Sequence, residues 1–368
     1  MSSGKKIETG FKNFTSSLLN FFLKQPQINP TPPYSRILFL RYGHLGDMIL
    51  SLPLFRAVRD RYPDTQIDVI CDLKNANPLE ENPIVDNVYF YEKNIFKIIR
   101  LIFKLRNKKY TYICNLVAYP SFTFGILARL IGPKAVRAGG DQEQFSYFYN
   151  RLVELPPKME THMLKRLFLL CSDITGEEIS HIETPWITIN KIIEEKANIL
   201  FKKISSQLNS KNPRLVLVNL SAGMVRHEWQ QEKYIEFLET AVSRYKTKIV
   251  CWAIITDPNK PRNAKQLVEK LNHASVVQVP VQDDFRVMMA LMRKCYLIIT
   301  PDTSFSHAAS AMGTPVLNLM IGENVITWAP YGVKHKIVSS DDPLTLKELP
   351  VEKVLQGFDE LMEMIYSG

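Results

Sequence analysis

Short apolar runs alternate along this chain with longer stretches whose apolar residues recur every three or four positions, the pattern of buried strands separated by amphipathic helices. The first run covers residues 37–40. A glycine-containing loop follows it, then a helical pattern that stops at Tyr62 and Pro63, then a second run at 67–71. The same unit restarts at 215–220, with the loop Ser221-Ala222-Gly223, a predicted helix near 232–245 and a strand near 248–253. Strand, helix, strand in that order opens a parallel sheet, so the expected fold class is α/β with two doubly wound halves. Polar residues 205–213 lie just ahead of the second opening, and the helix predicted near 190–204 can belong to either half. The expected division is an N-terminal extension over 1–34, a first domain over 35–188, a second over 189–345 and a closing helix within 346–368.

Two segments carry a further pattern. Ile7, Phe11, Phe14, Leu18 and Phe22 share one face of a predicted helix with lysines around it, ahead of the helix-hostile run 26–33. This stripe suits an interfacial membrane helix, or docks on the protein's own surface or a partner. Residues 94–106 read N-I-F-K-I-I-R-L-I-F-K-L-R, and Lys97, Arg100, Lys104 and Lys108 follow at spacings of three, four and four. One helix face is therefore basic and the others greasy. Such a helix suits an anionic membrane surface, at about 1 kcal/mol per basic residue; a domain helix with one solvated face is the other reading.

Charge is informative because it is local. The net charge is +9, yet residues 93–112 hold seven basic side chains and no acid, and residues 1–34 hold four lysines against Glu8. A particular anionic partner surface is implied rather than a generally basic protein. Nucleic acid is not the expected partner, since no recognised motif is present and the basic segment lacks the stacking aromatics of a single-strand groove. No stretch approaches the roughly 20 apolar residues of a membrane span. Asn13, Thr15, Ser16, Ser17 and Asn20 interrupt what a signal peptide needs to be continuous, so the expected location is the cytoplasm. Five scattered cysteines without a C-x-x-C pair indicate neither a disulfide framework nor a zinc site, and buried free thiols are expected.

Three constellations carry candidate chemistry. Arg41-Tyr42-Gly43-His44-Leu45-Gly46-Asp47 follows the first strand, where open α/β sheets bind ligands. It lacks the third glycine of a dinucleotide fingerprint and the G-K-[ST] of a P-loop. Its Asp47 either caps the following helix or acts as a general base. The second, residues 300–315, starts a short helix at a strand's carboxyl end. Asp302 or Thr303 can cap that helix, and the amides of Thr303, Ser304 and Phe305 make an anion site suited to a diphosphate. His307, in the same helix, reads as a packing histidine or a ligand contact. In the third, the loop from Ser221 to Trp229 delivers Arg226, with His227 beside it, either to solvent or to a leaving phosphate. No cluster has metal-ligand spacing, and no cofactor is expected.

In this order and spacing the three segments resemble glycosyltransferase family 9, the bacterial heptosyltransferases of lipopolysaccharide core synthesis. The R-x-x-x-x-G-D-x-x-x-x-x-P pattern is met by Arg41, Gly46, Asp47 and Pro53, and the D-T-x-x-x-H-x-A-x-A-x-G-x-P segment by Asp302, Thr303, His307, Ala309, Ala311, Gly313 and Pro315. Gly322 with Glu323, and the stretch Trp328-Ala329-Pro330-Tyr331-Gly332, look like the family's nucleotide-side loop. The resemblance implies a GT-B fold, two Rossmann-like domains facing a cleft, with the acceptor on the first and the nucleotide sugar on the second. It implies metal-independent, inverting transfer from ADP-heptose to the lipopolysaccharide core, at the inner face of the inner membrane. Asp47 would deprotonate the acceptor hydroxyl, with Arg41 and Gly46 on the acceptor side. The Thr303, Ser304 and Phe305 amides would hold the diphosphate, and Asp302 the donor sugar. One position departs from the family: His227 stands where a phosphate-neutralising lysine is usual, two residues before Trp229. Another nucleotide sugar, an epimerase of the same architecture and a non-catalytic nucleotide-sugar binder are the alternatives.

Overall fold

The central strands of this chain are apolar on both faces, and a strand with no wet face needs helices above and below it. The computed structural model describes residues 26–117, 120–141, 145–176, 182–210, 213–245, 250–257, 259–322 and 325–367. The stripe from Ile7 to Phe22 and the candidate Glu323 lie outside the described residues. The first sheet contains β1 (Arg36–Arg41), β2 (Gln66–Cys71), β3 (Asn87–Phe90), β4 (Tyr112–Asn115), β5 (Val136–Gly140) and β6 (Arg151–Val153). All pairings are parallel, in the order β3-β2-β1-β4-β5-β6, with Ile37 opposite Ile67 on one side and Tyr112 on the other. The winding reverses between β1 and β4, which opens a crevice at their carboxyl ends.

The second sheet repeats this plan with β7 (Arg214–Asn219), β8 (Val250–Ile255), β9 (Val276–Gln278), β10 (Leu297–Pro301), β11 (Val316–Ile321) and β12 (His335–Ser340). Its order is β12-β11-β10-β7-β8-β9, again all parallel, so its reversal lies between β7 and β10. Each sheet belongs to its own compact unit. One draws on the chain up to Pro157 and on Leu164–Ile182, the other on Lys158–Met163 and on Glu183 onward.

In the first core, Leu38, Leu40 and Ile113 pack against Phe124 and Leu127 of the helix Phe122–Ile131. The basic segment is the helix Ile95–Arg106. Asn94 caps it by accepting from the Phe96 and Lys97 amides at 3.0 and 3.2 Å, and Leu105 is buried in the core with Ile98, Leu101 and Ile102 half-buried beside it. In the second core the closing helix Val351–Tyr366 supplies Val354, Phe358 and Leu361, and Phe358 meets Phe237 and Trp252 at ring-centroid distances of 5.8 and 5.4 Å.

Residues ahead of β1 run along the sheet's edge. The Ile28 amide donates to Asn150 O at 2.7 Å and the Leu152 amide to Gln27 Oε1 at 2.8 Å, so part of β6's outer edge is covered. The five cysteines are buried free thiols, and burial pushes Cys71 up to about 12. Among the described residues no helix is long and apolar enough to cross a membrane.

The segment Lys158–Met163 is pinned inside the second unit. His162 Nε2 bonds Ala329 O at 3.0 Å, its ring lies 5.2 Å from that of Tyr331, and the Met163 amide donates to Thr327 O at 2.9 Å. A carbonyl only accepts, so Nε2 carries the proton and the neutral ring is satisfied. Burial drives the His162 pKa below its ordinary value of 6.5, against the opposing pull of the Ala329 bond. The folded state then binds fewer protons than the unfolded one, so this contribution is present above pH 6.5 and is lost as pH falls below it. Thermal melts from pH 7.5 to 5.5 are expected to show a steeper loss of stability in the native chain than in His162→Gln.

Candidate active site

At the first reversal the sequence places an arginine where β1 ends, and the fold removes it wholly from water. Arg41 Nε donates to Asp47 O at 2.9 Å, one terminal nitrogen donates to Leu116 O just past β4, and the other faces Asp47 Oδ1 at 3.4 Å. Asn75 Nδ2 donates to Arg41 O at 3.0 Å. Burial lowers the Arg41 pKa and the Asp47 carboxylate opposes that shift. Asp47 is the third residue of the short helix Leu45–Ile49, and its Oδ2 accepts the His44 amide at 2.8 Å. Capping and pairing therefore occupy both carboxylate oxygens. A carboxylate has about four acceptor sites, so capacity remains on each oxygen for a substrate hydroxyl. Gly43, at φ +150°, passes so close that a Cβ there would lie 2.5 Å from Asp47 Oδ2. Gly46 is buried within the same turn, its carbonyl accepting the Leu50 amide at 3.0 Å.

The second reversal is polar without being charged. Asn219, at the end of β7, donates through Nδ2 to Thr300 Oγ1 at 3.0 Å and lies 3.4 Å from Thr303 Oγ1. Its Oδ1 accepts the Ser221 amide at 3.0 Å and hydroxyl at 2.6 Å. Thr303 is the cap of the helix Ser304–Ala311, and its Oγ1 accepts the Phe305 amide at 3.2 Å. The Phe305 amide is thus committed to the cap and its ring packs edge-on against Phe285 at 5.1 Å, while the amides of Thr303 and Ser304 have no partner among the described residues. A helix start with free amides, at a strand's carboxyl end, is a ready anion site.

Beside it, the turn Val225–His227 buries His227 and leaves Arg226 exposed. His227 Nδ1 lies 3.5 Å from both Asp302 Oδ2 and Asp302 O, and its Nε2 is buried without a hydrogen-bond partner among the described residues. Trp229 fixes this loop: its indole donates to Leu349 O at 2.9 Å and meets the Tyr234 ring at 4.6 Å, while Tyr234 OH donates to Asn219 O at 3.0 Å. A cavity of about 230 Å³, lined by Ser221, Ala222, Trp229, Asp257 and Asn263 among others, opens at the carboxyl ends of β7 and β8. His307 is buried in its helix with its ring 6.2 Å from Trp328. Gly322 directly follows β11 at the same edge, where a Cβ would meet Ser340 O at 3.9 Å.

The structure thus brings Arg41, Gly46 and Asp47 into one turn, and His227, Asp302 and Thr303 around one helix start. Sequence reasoning missed Asn219, Thr300, Asn75 and Leu116 O. A polar residue closing an apolar strand run, as Asn219 closes β7, was the available signal.

Solved structures with a similar fold include the glycosyl transferase family 9 protein of Veillonella parvula, with a TM-score of 0.73 at 18% identity over 90% of this chain and 98% of that one. Another is the ADP-heptose lipopolysaccharide heptosyltransferase II of Escherichia coli, with a TM-score of 0.69 at 19% identity over 89% and 99%. Two doubly wound units of this kind give the protein the GT-B fold of these structures. More particularly, the chain belongs to glycosyltransferase family 9 (heptosyltransferase), whose profile matches residues 98–357. Among its relatives is the lipopolysaccharide core heptosyltransferase OpsX of Haemophilus influenzae, 24% identical over 318 residues, 84% of this chain and 85% of that one.

Two substitutions probe the first turn. Arg41→Met leaves Leu116 O and Asp47 without their buried donor, and is expected to lower the stability of the chain by about 3–5 kcal/mol in urea titrations. Gly43→Ala instead forces the Asp47 carboxylate aside at a backbone angle that suits glycine, and turnover is expected to fall on the order of 10-fold to 100-fold together with a loss of about 1–3 kcal/mol of stability.

Proposed function

We propose that this chain transfers a heptose from ADP-heptose to an inner-core sugar of lipopolysaccharide, with inversion and without a resident metal, at the anionic inner face of the cytoplasmic membrane. The observation that carries the reading is the Asp47 carboxylate, fixed from one side by Arg41 and from another by the His44 amide, at the carboxyl edge where α/β sheets bind ligands. The relatives named above act on the same substrate class by their printed names.

In this mechanism the acceptor hydroxyl attacks the anomeric carbon and passes its proton to Asp47. The bond from that carbon to the diphosphate oxygen breaks, and ADP leaves with the electron pair. The Thr303 and Ser304 amides and the start of the helix Ser304–Ala311 hold the diphosphate, Arg226 and His227 offset its growing charge, and Asp302 orients the sugar hydroxyls. The cavity beside Ser221 receives the nucleoside. His227 is a shorter reach than the usual lysine, and Arg226, exposed one position earlier, supplies a permanent charge.

The test offers a panel of nucleotide sugars, ADP-heptose included, with heptose-deficient and partly completed cores, and weighs the products by mass spectrometry. A gain of one heptose is expected only with ADP-heptose. Asp47→Asn should lower turnover by about 10²–10⁴ with donor affinity near native. Release of free sugar without acceptor would replace transfer by epimerisation, and tight nucleotide binding with no product would leave a binding protein.

A further inference from the structure

The helix Ile95–Arg106 has three faces, and the fold uses one. Ile98, Leu101, Ile102 and Leu105 turn to the first core. Ile95, Phe96, Ile99 and Phe103 turn away and stay exposed, Phe96 at 79% and Phe103 at 66%. At about 100° per residue those four fall in one arc of the helix, shared only in its last turn by Arg106, whose guanidinium bonds Leu130 O at 3.2 Å, and Lys97, Arg100 and Lys104 occupy the arc beside it. Single exposed apolar residues are ordinary on any surface, whereas four large ones side by side mark an interaction site.

The neighbouring charges decide what kind. Residues 93–112 contain no acid, and the nearest, Glu92, pairs with Lys97 at the surface, where such a pair is worth little. The Lys104 ammonium lies 5.0 Å over the Tyr89 ring, so its stem already runs along apolar surface with the charge at the end. A greasy arc flanked by a basic one, with no acid within the helix, matches a bilayer with anionic headgroups in both respects at once.

We propose that the helix Ile95–Arg106 docks this protein on an anionic bilayer, with Phe96 and Phe103 at the acyl boundary and Lys97, Arg100 and Lys104 against lipid phosphates. The proposal deepens the lipid-acceptor reading by naming the docking element, and rests on that reading for its purpose alone. The placement suits it. The helix begins just past β3, at the sheet's carboxyl edge, and Tyr91 at its base packs on Tyr42 and Phe124 at 5.4 and 5.2 Å. Tyr42 belongs to the turn that carries Asp47. Docking therefore brings the acceptor-side turn to the surface that holds a lipid-anchored acceptor.

The test is co-sedimentation of the full chain with vesicles of phosphatidylethanolamine and phosphatidylglycerol, or of phosphatidylcholine alone, at low and high salt. The native chain is expected on the anionic vesicles, less so at high salt, and not on the neutral ones. The double variant Phe96→Glu, Phe103→Glu should bind about tenfold or more weakly with an unchanged melting temperature, since both rings stand in solvent. Phe96→Trp should keep binding and shift its fluorescence to the blue on vesicles. Native-like binding by the double variant overturns the proposal and moves docking elsewhere, residues 1–25 first. So does a native dimer that the double variant disperses while neither binds vesicles, which assigns the arc to a second copy. In transfer assays the double variant should lose activity on acceptor embedded in vesicles and keep it on deacylated acceptor. Vesicle binding without heptose transfer to any acceptor would sink the transfer reading and leave the docking intact.

Discussion

A guanidinium with no water around it holds the first reversal together. Arg41 joins the end of β1 to the end of β4 through Leu116 O, holds the backbone of the Asp47 turn, and has its own carbonyl taken by Asn75. Burying that charge is costly, as its lowered pKa records, and Asp47 is the anion that offsets the cost. The carboxylate proposed as general base is therefore also a member of the frame, and its position is set by residues that hold the sheet. The second reversal reaches similar rigidity with neutral groups, Asn219, Thr300, Thr303 and Ser221 in one bonded set. Asp302, His227 and Arg226 stand at its rim.

The repeated winding, and the location of each motif at a strand's carboxyl end, were legible in the sequence, because apolar runs of strand length alternating with helical periods leave few other folds. The residues that tie each reversal together were not. Asn219 and Thr300 are 81 positions apart, and Arg41 and Leu116 75, and they meet only because β7 pairs with β10 and β1 with β4. Periodicity is blind to pairing between strands with two others between them in the chain. It also left Asp47 between a capping and a catalytic role. The geometry shows the cap without removing the acceptor capacity, so the alternatives were never exclusive. For Phe305 the count of helix-start amides was too generous, because a threonine cap takes one of them.

The same division applies to the basic helix. Its spacing of lysines and arginine was plain, but which apolar residues face the core depends on how the helix lies against Phe124, Leu127 and the sheet. Leu105 is wholly enclosed and Phe103, two positions earlier, is mostly in solvent. An amphipathic pattern fixes relative angles around a helix axis, while the absolute rotation comes from the partner surface.

The edge contact ahead of β1 has a consequence for the order in which the chain is made. Gln27 and Ile28 are among the first described residues to leave the ribosome, yet Leu152 of β6, the partner of Gln27, follows 125 residues later, with Asn150, the partner of Ile28, just ahead of it. At about 5–20 residues per second that interval is on the order of 10 s, during which the segment has no edge to lie against. Its closure on Asn150 and Leu152 is then a late event that reports β6 in register, and a nascent chain stalled before that point would leave this segment and the edge of β5 open together.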